Sequence, residues 1–188
     1  MTIIDALRPA ERTHATVFNA VAVIGGSIFI ALSAQISFFI PLNPVPITGQ
    51  TFAVLLIGAL FGAKLGSAAV LLYLAEGAAG LPVFSAGGAT TAHLFGPSGG
   101  YLVGFIGAAW IVGSLADRGW TGHPVTTAVA MVLGAAVYFA VGAAWLSMFV
   151  GAENAIVVGV LPFLLGDSLK IVLAAVILPL ATRYAIRR

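Results

Sequence analysis

Long apolar stretches, separated by short breaks rich in Gly and Pro, run through almost the whole chain. A helix needs about 20 apolar residues to cross a bilayer, and fewer where other parts of the protein shield it. This pattern predicts six transmembrane helices, of which the second and third are too short for a full span. Their predicted bounds are residues 17–40, 51–61, 65–76, 99–116, 124–150 and 155–182. Short, Gly-flanked membrane helices often end at a cavity lined by protein.

The composition supports a membrane protein. Of the 188 residues, 61% are hydrophobic and only 7% are charged, and the mean hydropathy is +1.12. Soluble domains carry roughly 25% charged residues, so most of this surface must face lipid. The sequence therefore predicts one all-α integral membrane domain over residues 1–188, with residues 1–15 as an N-terminal cytoplasmic segment. The absence of cysteine excludes disulfides and thiolate metal sites.

The basic residues indicate how the chain is oriented. Seven of the eight lie at the termini or in the breaks that a six-helix topology places on the same side: Arg8, Arg12, Lys64, Arg118, Arg183, Arg187 and Arg188. The opposite loops, 41–50, 77–98 and 151–154, contain no Lys or Arg. Because Lys and Arg concentrate on the cytoplasmic side, we expect both termini in the cytoplasm of a plasma-membrane protein. A net charge of +2 gives no reason to expect nucleic acid as a partner.

The eighth basic residue, Lys170, lies in the middle of the last predicted helix, three residues after Asp167. This spacing puts both side chains on one helix face. Ionisable groups at membrane depth are costly and usually face a cavity or the bundle interior. The pair predicts either a self-neutralising ion pair that stabilises the bundle, or a site for a ligand with a carboxylate and amide-like N–H groups.

Other polar candidates lie near the predicted outer ends of the helices. Gln50 precedes the second helix and is interpreted as either a ligand contact or a cap for backbone groups. Glu76, at the end of the third helix, is interpreted as a solvated cap rather than a ligand contact. Tyr101 follows two glycines at the start of the fourth helix, where Gly100 allows backbone amides to approach a ligand closely. His14, His93 and His123 show no metal-ligand spacing and are interpreted as surface or interface residues.

Residues 77–98 form a long loop without a charged side chain. A loop of this length is rarely a plain connector, so we expect it to pack against the membrane domain and to cover a cavity there. Aromatic residues of this region, including Phe84, are candidates for an apolar slot.

Four motifs in order resemble the BioY family, the biotin-specific substrate-binding (S) components of energy-coupling-factor (ECF) transporters. They are residues 44–54 (PVPITGQTFAV), 80–84 (GLPVF), 96–105 (GPSGGYLVGF) and 166–170 (GDSLK). Each motif alone is weak, but four in order with a matching topology are specific, and the resemblance covers nearly the whole chain.

The resemblance implies an S-component bundle that binds biotin near the external face, below the loop between helices 3 and 4. Asp167 and Lys170 would be polar contacts, with Gly100 and Tyr101 lining the pocket. Some family members carry an Asn in the glycine loop, where this chain reads SAGGA from Ser85. Ser85 or nearby backbone would then supply the hydrogen bond. The residues expected at the site are therefore Asp167, Lys170, Tyr101, Gly100, Gln50, Phe84, Ser85 and Gly87.

The resemblance also implies partners. S components have no ATPase of their own, and the chain has no G-x-x-x-x-G-K-[ST] motif. A transmembrane coupling (T) protein and ABC-type ATPases would drive biotin uptake, with no cofactor in the S component. A stripe of small residues that includes Ser27 and Ala31 is a candidate docking face.

Three alternatives have different requirements. A self-sufficient vitamin carrier coupled to protons would need a titrating carboxylate, such as Asp167 or Glu76. An intramembrane hydrolase would need a base beside Ser98, or a second aspartate beside Asp167, and Asp117 lies at the opposite end of its helix. A membrane scaffold would have no need of a polar pair in a span. The sequence therefore favours a transport protein that is not an enzyme.

Overall fold

The computed structural model describes residues 2–7, 9 and 11–186. Arg8, Arg187 and Arg188, used above to predict the orientation, lie outside the described residues. The helices are α1 (Ile3–Leu7), α2 (Arg12–Gln35), α3 (Gln50–Ala78), α4 (Thr90–Leu94), α5 (Gly99–Asp117), α6 (Pro124–Val150), α7 (Ala152–Gly159) and α8 (Leu161–Ile186). Two short strands, β1 (Ser37–Phe38) and β2 (Ile47–Thr48), pair antiparallel.

Within the described residues, five helical segments are long and apolar enough to cross a membrane. They are Thr13–Gln35, Gln50–Ala78, Gly99–Asp117, Pro124–Val150 and Ala152–Tyr184. The six predicted helices are thus not found as six separate segments, because the second and third are merged in α3.

The helix α3 is bent back on itself at Gly62. Gly62 has φ 77° and ψ 179°, a backbone conformation open almost only to glycine. A Cβ built on Gly66 would lie 2.9 Å from the Cα of Gly58, and the Gln50 side chain donates a hydrogen bond to the Tyr73 hydroxyl. In a straight helix residues 50 and 73 would be about 35 Å apart. The predicted helices 51–61 and 65–76 are therefore two antiparallel limbs of α3, which we call the first and second limbs.

The first helix was predicted over residues 17–40, and the observed helix α2 begins and ends five residues earlier. α2 starts at Arg12 and stops at Gln35. Apolar residues continue to Ile40, but Ser37 and Phe38 pair with β2, and the Gly49 amide donates to the Ile36 carbonyl at 2.9 Å. Strand pairing thus takes the backbone groups that a longer helix would have used.

The last predicted helix, residues 155–182, is interrupted. α7 ends at Gly159, and α8 begins at Leu161 after Val160 adopts φ −119° and ψ −57°. Pro162 lies in the first turn of α8, where its missing N–H costs no helical hydrogen bond. The interruption matters below, because the Gly159 carbonyl at this break accepts a hydrogen bond from Tyr101.

Glycines bring α3, α5 and α6 into close contact at the centre of the molecule. A Cβ on Gly58 would lie 2.8 Å from the Ala109 carbonyl oxygen, and one on Gly104 would lie 2.8 Å from the Cα of Tyr138. Small side chains let helix backbones approach in this way. The three helices form the compact part of the bundle, and α2 and α8 pack outside it with large apolar faces exposed.

Candidate functional site

A polar cluster joins α3, α6 and α8 where their side chains meet. One carboxylate oxygen of Asp167, Oδ1, accepts hydrogen bonds from Thr51 Oγ1 at 2.9 Å and Lys170 Nζ at 2.8 Å. The other oxygen, Oδ2, accepts from the Tyr138 hydroxyl. The Asp167 side chain is only 5% exposed and that of Lys170 is 23% exposed. Burial of a charge requires this kind of pairing and hydrogen bonding, and the cluster meets that requirement.

The ammonium group of Lys170 is held by three acceptors. Besides Asp167, it donates to Thr51 Oγ1 at 2.7 Å and to the Thr48 carbonyl at 3.0 Å. These contacts hold Thr48, two residues before α3, and Thr51, in its first turn, against α8. The predicted i,i+3 pair is therefore present, and each of its members also fixes the first turn of α3.

The Gln50 side chain lies in a second polar group beside this cluster. Its amide donates to the Tyr73 hydroxyl, and its Oε1 accepts from Thr48 Oγ1 at 3.1 Å. Thr48 Oγ1 also accepts from the Gln50 backbone amide at 3.2 Å. Gln50 and Tyr73 meet only because α3 reverses at Gly62, which brings the two limb ends together.

A narrow cavity lies beside these groups, with about 30 Å³ open to the centre of a water-sized molecule. Its walls are mainly apolar, and none of the described residues lining it is Asp, Glu, Lys or Arg. The lining residues fall into three sets. Val45, Pro46 and Thr48 come from residues 41–49, which we call the proline loop; Ser85, His93 and Ser98 come from the loop between α3 and α5. The helices supply the others: Gln50, Thr51, Tyr101, Leu102, Phe105, Tyr138, Phe139 and Phe163.

Residues 79–98, which we call the roof loop, cover one side of this cavity. Phe84 anchors the loop: its ring is fully buried, edge-on to Tyr73 with centroids 5.4 Å apart and stacked on His93 at 5.0 Å. It packs against Gly77, where any Cβ would collide with the ring. At the other end, Trp145 Nε1 donates to the Gly96 carbonyl at 3.0 Å. The expectation that the long loop packs over a cavity is thus met by its contacts.

The residues predicted for the site divide into three groups. Gln50, Ser85 and Tyr101 line the cavity. Asp167 and Lys170 are not among the lining residues, but Asp167 binds the lining residues Thr51 and Tyr138, and Lys170 binds Thr51 and Thr48. Phe84, Gly87 and Gly100 are not among the lining residues.

These last three have structural positions instead. Phe84 is the buried anchor of the roof loop. Gly87 is exposed with φ 71°, and its amide donates to Gln35 Oε1 at 3.2 Å. Gly100 faces α6, where a Cβ would collide with Trp145. Gly100 therefore allows α5 and α6 to approach closely.

Tyr101 contributes its ring to the cavity but directs its hydroxyl elsewhere. The hydroxyl donates to the Gly159 carbonyl at 2.7 Å, at the break between α7 and α8. That carbonyl lost its helical partner at the break, so the tyrosine satisfies it.

His93 was interpreted from the sequence as a surface or interface residue, and the structure corrects this. It lines the cavity and stacks on Phe84. Burial lowers the pKa of His93 below its ordinary value of 6.5. Its position could not be seen in the sequence because α4, a single short helical turn that carries it, has no apolar periodicity of its own.

Thr51, Tyr138 and Phe163 are further lining residues that the sequence did not single out. Each lies within a predicted apolar helix, where a lone Thr or Tyr is ordinary. The spacing of Thr51 directly after Gln50 was the one available signal, since consecutive polar residues at a predicted membrane depth are unusual.

Two other interpretations change. Glu76 is half-buried and accepts a hydrogen bond from Ser27 Oγ, so it links α3 to α2 and is not simply a solvated cap. Ser27 is fully buried in that contact. It therefore faces the bundle, and the stripe with Ser27 and Ala31 is not an exposed docking face.

Comparisons with known proteins agree on one family. The sequence profile of the BioY family matches residues 9–187. A probable biotin transporter BioY of Pyrococcus horikoshii is 38% identical over 154 residues, covering 80% of this chain and 90% of that protein. The biotin transporter BioY of Thermotoga maritima is 39% identical over 170 residues, covering 87% and 90%.

A solved structure extends the agreement to the fold. It is a crystal structure of the S-component for biotin from an ECF-type ABC transporter, with a TM-score of 0.82 and 27% identity over 93% of this chain and 95% of that one. The predicted all-α S-component fold is confirmed by this match. The family is one of transporters and not of enzymes, and this multi-pass membrane protein belongs to the BioY family.

Proposed function

We propose that this chain captures biotin at the external face of the membrane and serves as the S component of an ECF-type transporter for its uptake. The observation that carries the proposal is the cavity beneath the roof loop and the polar side chains that line it opposite that loop, Gln50, Thr51 and Tyr138, which we call the polar floor. The Asp167–Lys170 pair binds Thr51 and Tyr138 from behind. The names and fold of the BioY relatives support the same ligand.

The polar floor suits the ureido group of biotin, which has two N–H donors and one carbonyl acceptor. Beyond the bonds described above, Gln50 retains one amide N–H and one oxygen lone pair, and Thr51 retains one hydroxyl lone pair; both residues line the cavity. Asp167 holds the hydroxyls of Thr51 and Tyr138, and we assign it the task of orienting them.

Lys170 has a complementary task in this proposal. It neutralises Asp167 and keeps the floor without net charge, so a neutral ureido group needs no counter-ion. Its contact with the Thr48 carbonyl also holds the proline loop against α8. Both predicted charges thus act on the ligand mainly through the groups that they position.

The upper half of the cavity suits the remainder of biotin. Phe105, Phe139 and Phe163 form apolar walls for the fused ring and the hydrocarbon chain. The carboxylate would then lie toward the roof, where His93, Ser85 and Ser98 provide N–H and O–H donors. A second groove lined by His93, Ser85, Ser98 and Pro46 adjoins this end and offers a path from outside.

The partners follow from the family. The chain has no phosphate-binding loop of its own, so a T component and ABC-type ATPases would supply the energy. The distribution of Lys and Arg supports cytoplasmic termini and an external roof loop in the plasma membrane. A self-sufficient proton-coupled carrier is not favoured, because Asp167 is held in an ion pair and no comparison points to such a protein.

Calorimetry with the detergent-purified protein tests the proposal. Biotin should bind tightly to the parent, and Asp167→Asn and Lys170→Ala should each weaken binding by about 100-fold, because each leaves a buried charge unpaired. Ser168→Ala is the matched control on the same helix, since the exposed Ser168 hydroxyl only donates to the Leu164 carbonyl. A well-folded parent that does not bind biotin would overturn the assignment.

A further inference from the structure

Gln35 is the last residue of α2, and both the nitrogen and the oxygen of its side-chain amide form hydrogen bonds with the roof loop. Its Nε2 donates to the Phe84 carbonyl at 3.1 Å and to the Val83 carbonyl at 3.4 Å, and also to the Ala31 carbonyl of its own helix at 3.1 Å. Its Oε1 accepts from the Gly87 amide at 3.2 Å. One carboxamide therefore binds both the start and the end of residues 83–87.

The segment held in this way has a conformation that needs support. The Phe84 amide donates to the Gly88 carbonyl and the Gly88 amide to the Ser85 carbonyl, each at 3.0 Å, which closes residues 84–88 into a tight loop. Within it Ala86 has φ 54°, in the left-handed region that costs a residue with a side chain about 1–2 kcal/mol. Such a conformation persists only where surrounding contacts impose it.

Ser85, between the atoms that Gln35 binds, is the roof residue that faces the cavity from this segment. Its position over the ligand space depends on the closed loop and therefore on whatever holds that loop. The other anchors are Phe84, buried deep beneath the loop, and Trp145, which binds the far end at Gly96. Among the contacts described, Gln35 is the one that ties this segment to α2.

We propose that Gln35 is a positioning residue that holds the roof loop closed over the ligand cavity and so sets how long a bound ligand stays. The proposal deepens the proposed function and rests on it for the identity of the ligand. It also makes the outer end of α2 the element whose displacement would release the roof. Gln35 is exposed, so truncation of its side chain leaves no buried cavity.

Three variants separate the roles of the two amide ends. Gln35→Ala removes both, and we expect biotin to dissociate about tenfold faster, the effect of losing roughly 1.4 kcal/mol in net hydrogen bonding. Gln35→Glu keeps the size and the acceptor but places a second oxygen against the Phe84 and Val83 carbonyls. Biotin should therefore dissociate from it at least as fast as from Gln35→Ala. Leu32→Ala, one turn earlier on the same exposed face and without a bond to the loop, should leave the rate unchanged.

Stopped-flow displacement of labelled biotin measures the dissociation rate of each variant. Hydrogen exchange of the backbone amides of residues 83–88, in the protein without ligand, measures how often this part of the roof loop opens. Faster dissociation together with faster exchange in both Gln35 variants, at an unchanged melting temperature, is the expected result. Dissociation and exchange equal to those of the parent would overturn the proposal. If the parent fails to bind biotin, the proposed function fails, and the exchange measurement still decides whether Gln35 holds the loop.

Discussion

Asp167 illustrates at the scale of single residues what a local pattern can and cannot predict. Its pairing with Lys170 follows from a spacing of three on one helix. Its other partners, Thr51 and Tyr138, are 116 and 29 residues away in sequence, and no periodicity relates them to it. The floor of the candidate site is therefore built from one predicted pair and two residues that only the fold brings to it.

The two buried tyrosines beside the cavity provide a matched comparison. Tyr138→Phe removes the donor to Asp167 Oδ2 and leaves that oxygen without its partner, so we expect biotin affinity to fall about tenfold. Tyr101→Phe removes the donor to the Gly159 carbonyl, which has no bond to Asp167, Thr51 or Gln50, and should lower the melting temperature more than the affinity. Calorimetry and thermal unfolding of both variants check this, and equal losses of affinity would contradict the proposed floor.

His93 should make biotin binding depend on pH. Burial lowers its pKa in the free protein, so the imidazole is neutral at pH 7. A ligand carboxylate at the roof would favour the protonated form and raise the pKa, so binding takes up a proton. Affinity should therefore increase as pH falls from 8 to 6, by up to about tenfold for a rise of one pKa unit.

The control for this pH dependence is His93→Gln, which retains an N–H donor but cannot be charged in this range. Binding by this variant should be flat over the same pH interval. A parent whose affinity is also flat, or falls toward acid pH, would place the carboxylate elsewhere in the cavity. Titration calorimetry in two buffers of different ionisation enthalpy counts the proton directly.

At the scale of elements, the sequence predicted the helices better than their ends and junctions. The apolar runs located every long helix, because lipid exposure demands them. The end of α2 was missed, since strand pairing by Ser37 and Phe38 competes with an equally apolar helix. The predicted gap between the two short helices, residues 62–64, contains the kink of α3 at Gly62, but only the structure brings Gln50 onto Tyr73.

The reversal of α3 depends on Gly62, and its replacement tests this. Gly62→Ala would impose a Cβ on a glycine-only conformation and against the Asp117 carboxylate, whose Oδ2 accepts from the Ala63 amide at 3.2 Å. We expect a loss of about 2 kcal/mol or more in the free energy of unfolding. Gly122→Ala, where a Cβ meets nothing within 4 Å, should change it by less than about 0.5 kcal/mol. Thermal unfolding in detergent compares the two, and equal stabilities would argue against a tight turn at Gly62.

At the scale of the whole molecule, the orientation in the membrane stays a prediction. It rests on where Lys and Arg fall, and three of the seven residues concerned lie outside the described part of the chain. The reversal of α3 is consistent with it, because the two limbs start and end on the side where α2 ends, which leaves Lys64 on the opposite side with Arg12. Charge distribution could be seen in the sequence, whereas the cavity could not, since it arises from contacts between the proline loop, three helices and the roof loop.

The absence of cysteine makes the orientation easy to test. Single cysteines at the exposed positions Asn154 and Arg118 lie on opposite sides in the predicted topology. A membrane-impermeant thiol reagent should label Asn154→Cys in intact cells, and Arg118→Cys only after permeabilisation. The cysteine-free parent is the control for background labelling. The reverse labelling pattern would contradict the predicted topology and indicate that the termini lie outside.

The central helices also differ in length, and this has a consequence for the surrounding bilayer. α5 has 19 residues and α6 has 27, which correspond to about 28 Å and about 40 Å. A hydrocarbon core is about 30 Å thick, so a bilayer that matches the shorter helix forces the longer one to tilt or protrude. Because the two helices share the walls of the cavity, lipid acyl-chain length becomes a variable that acts on the site itself.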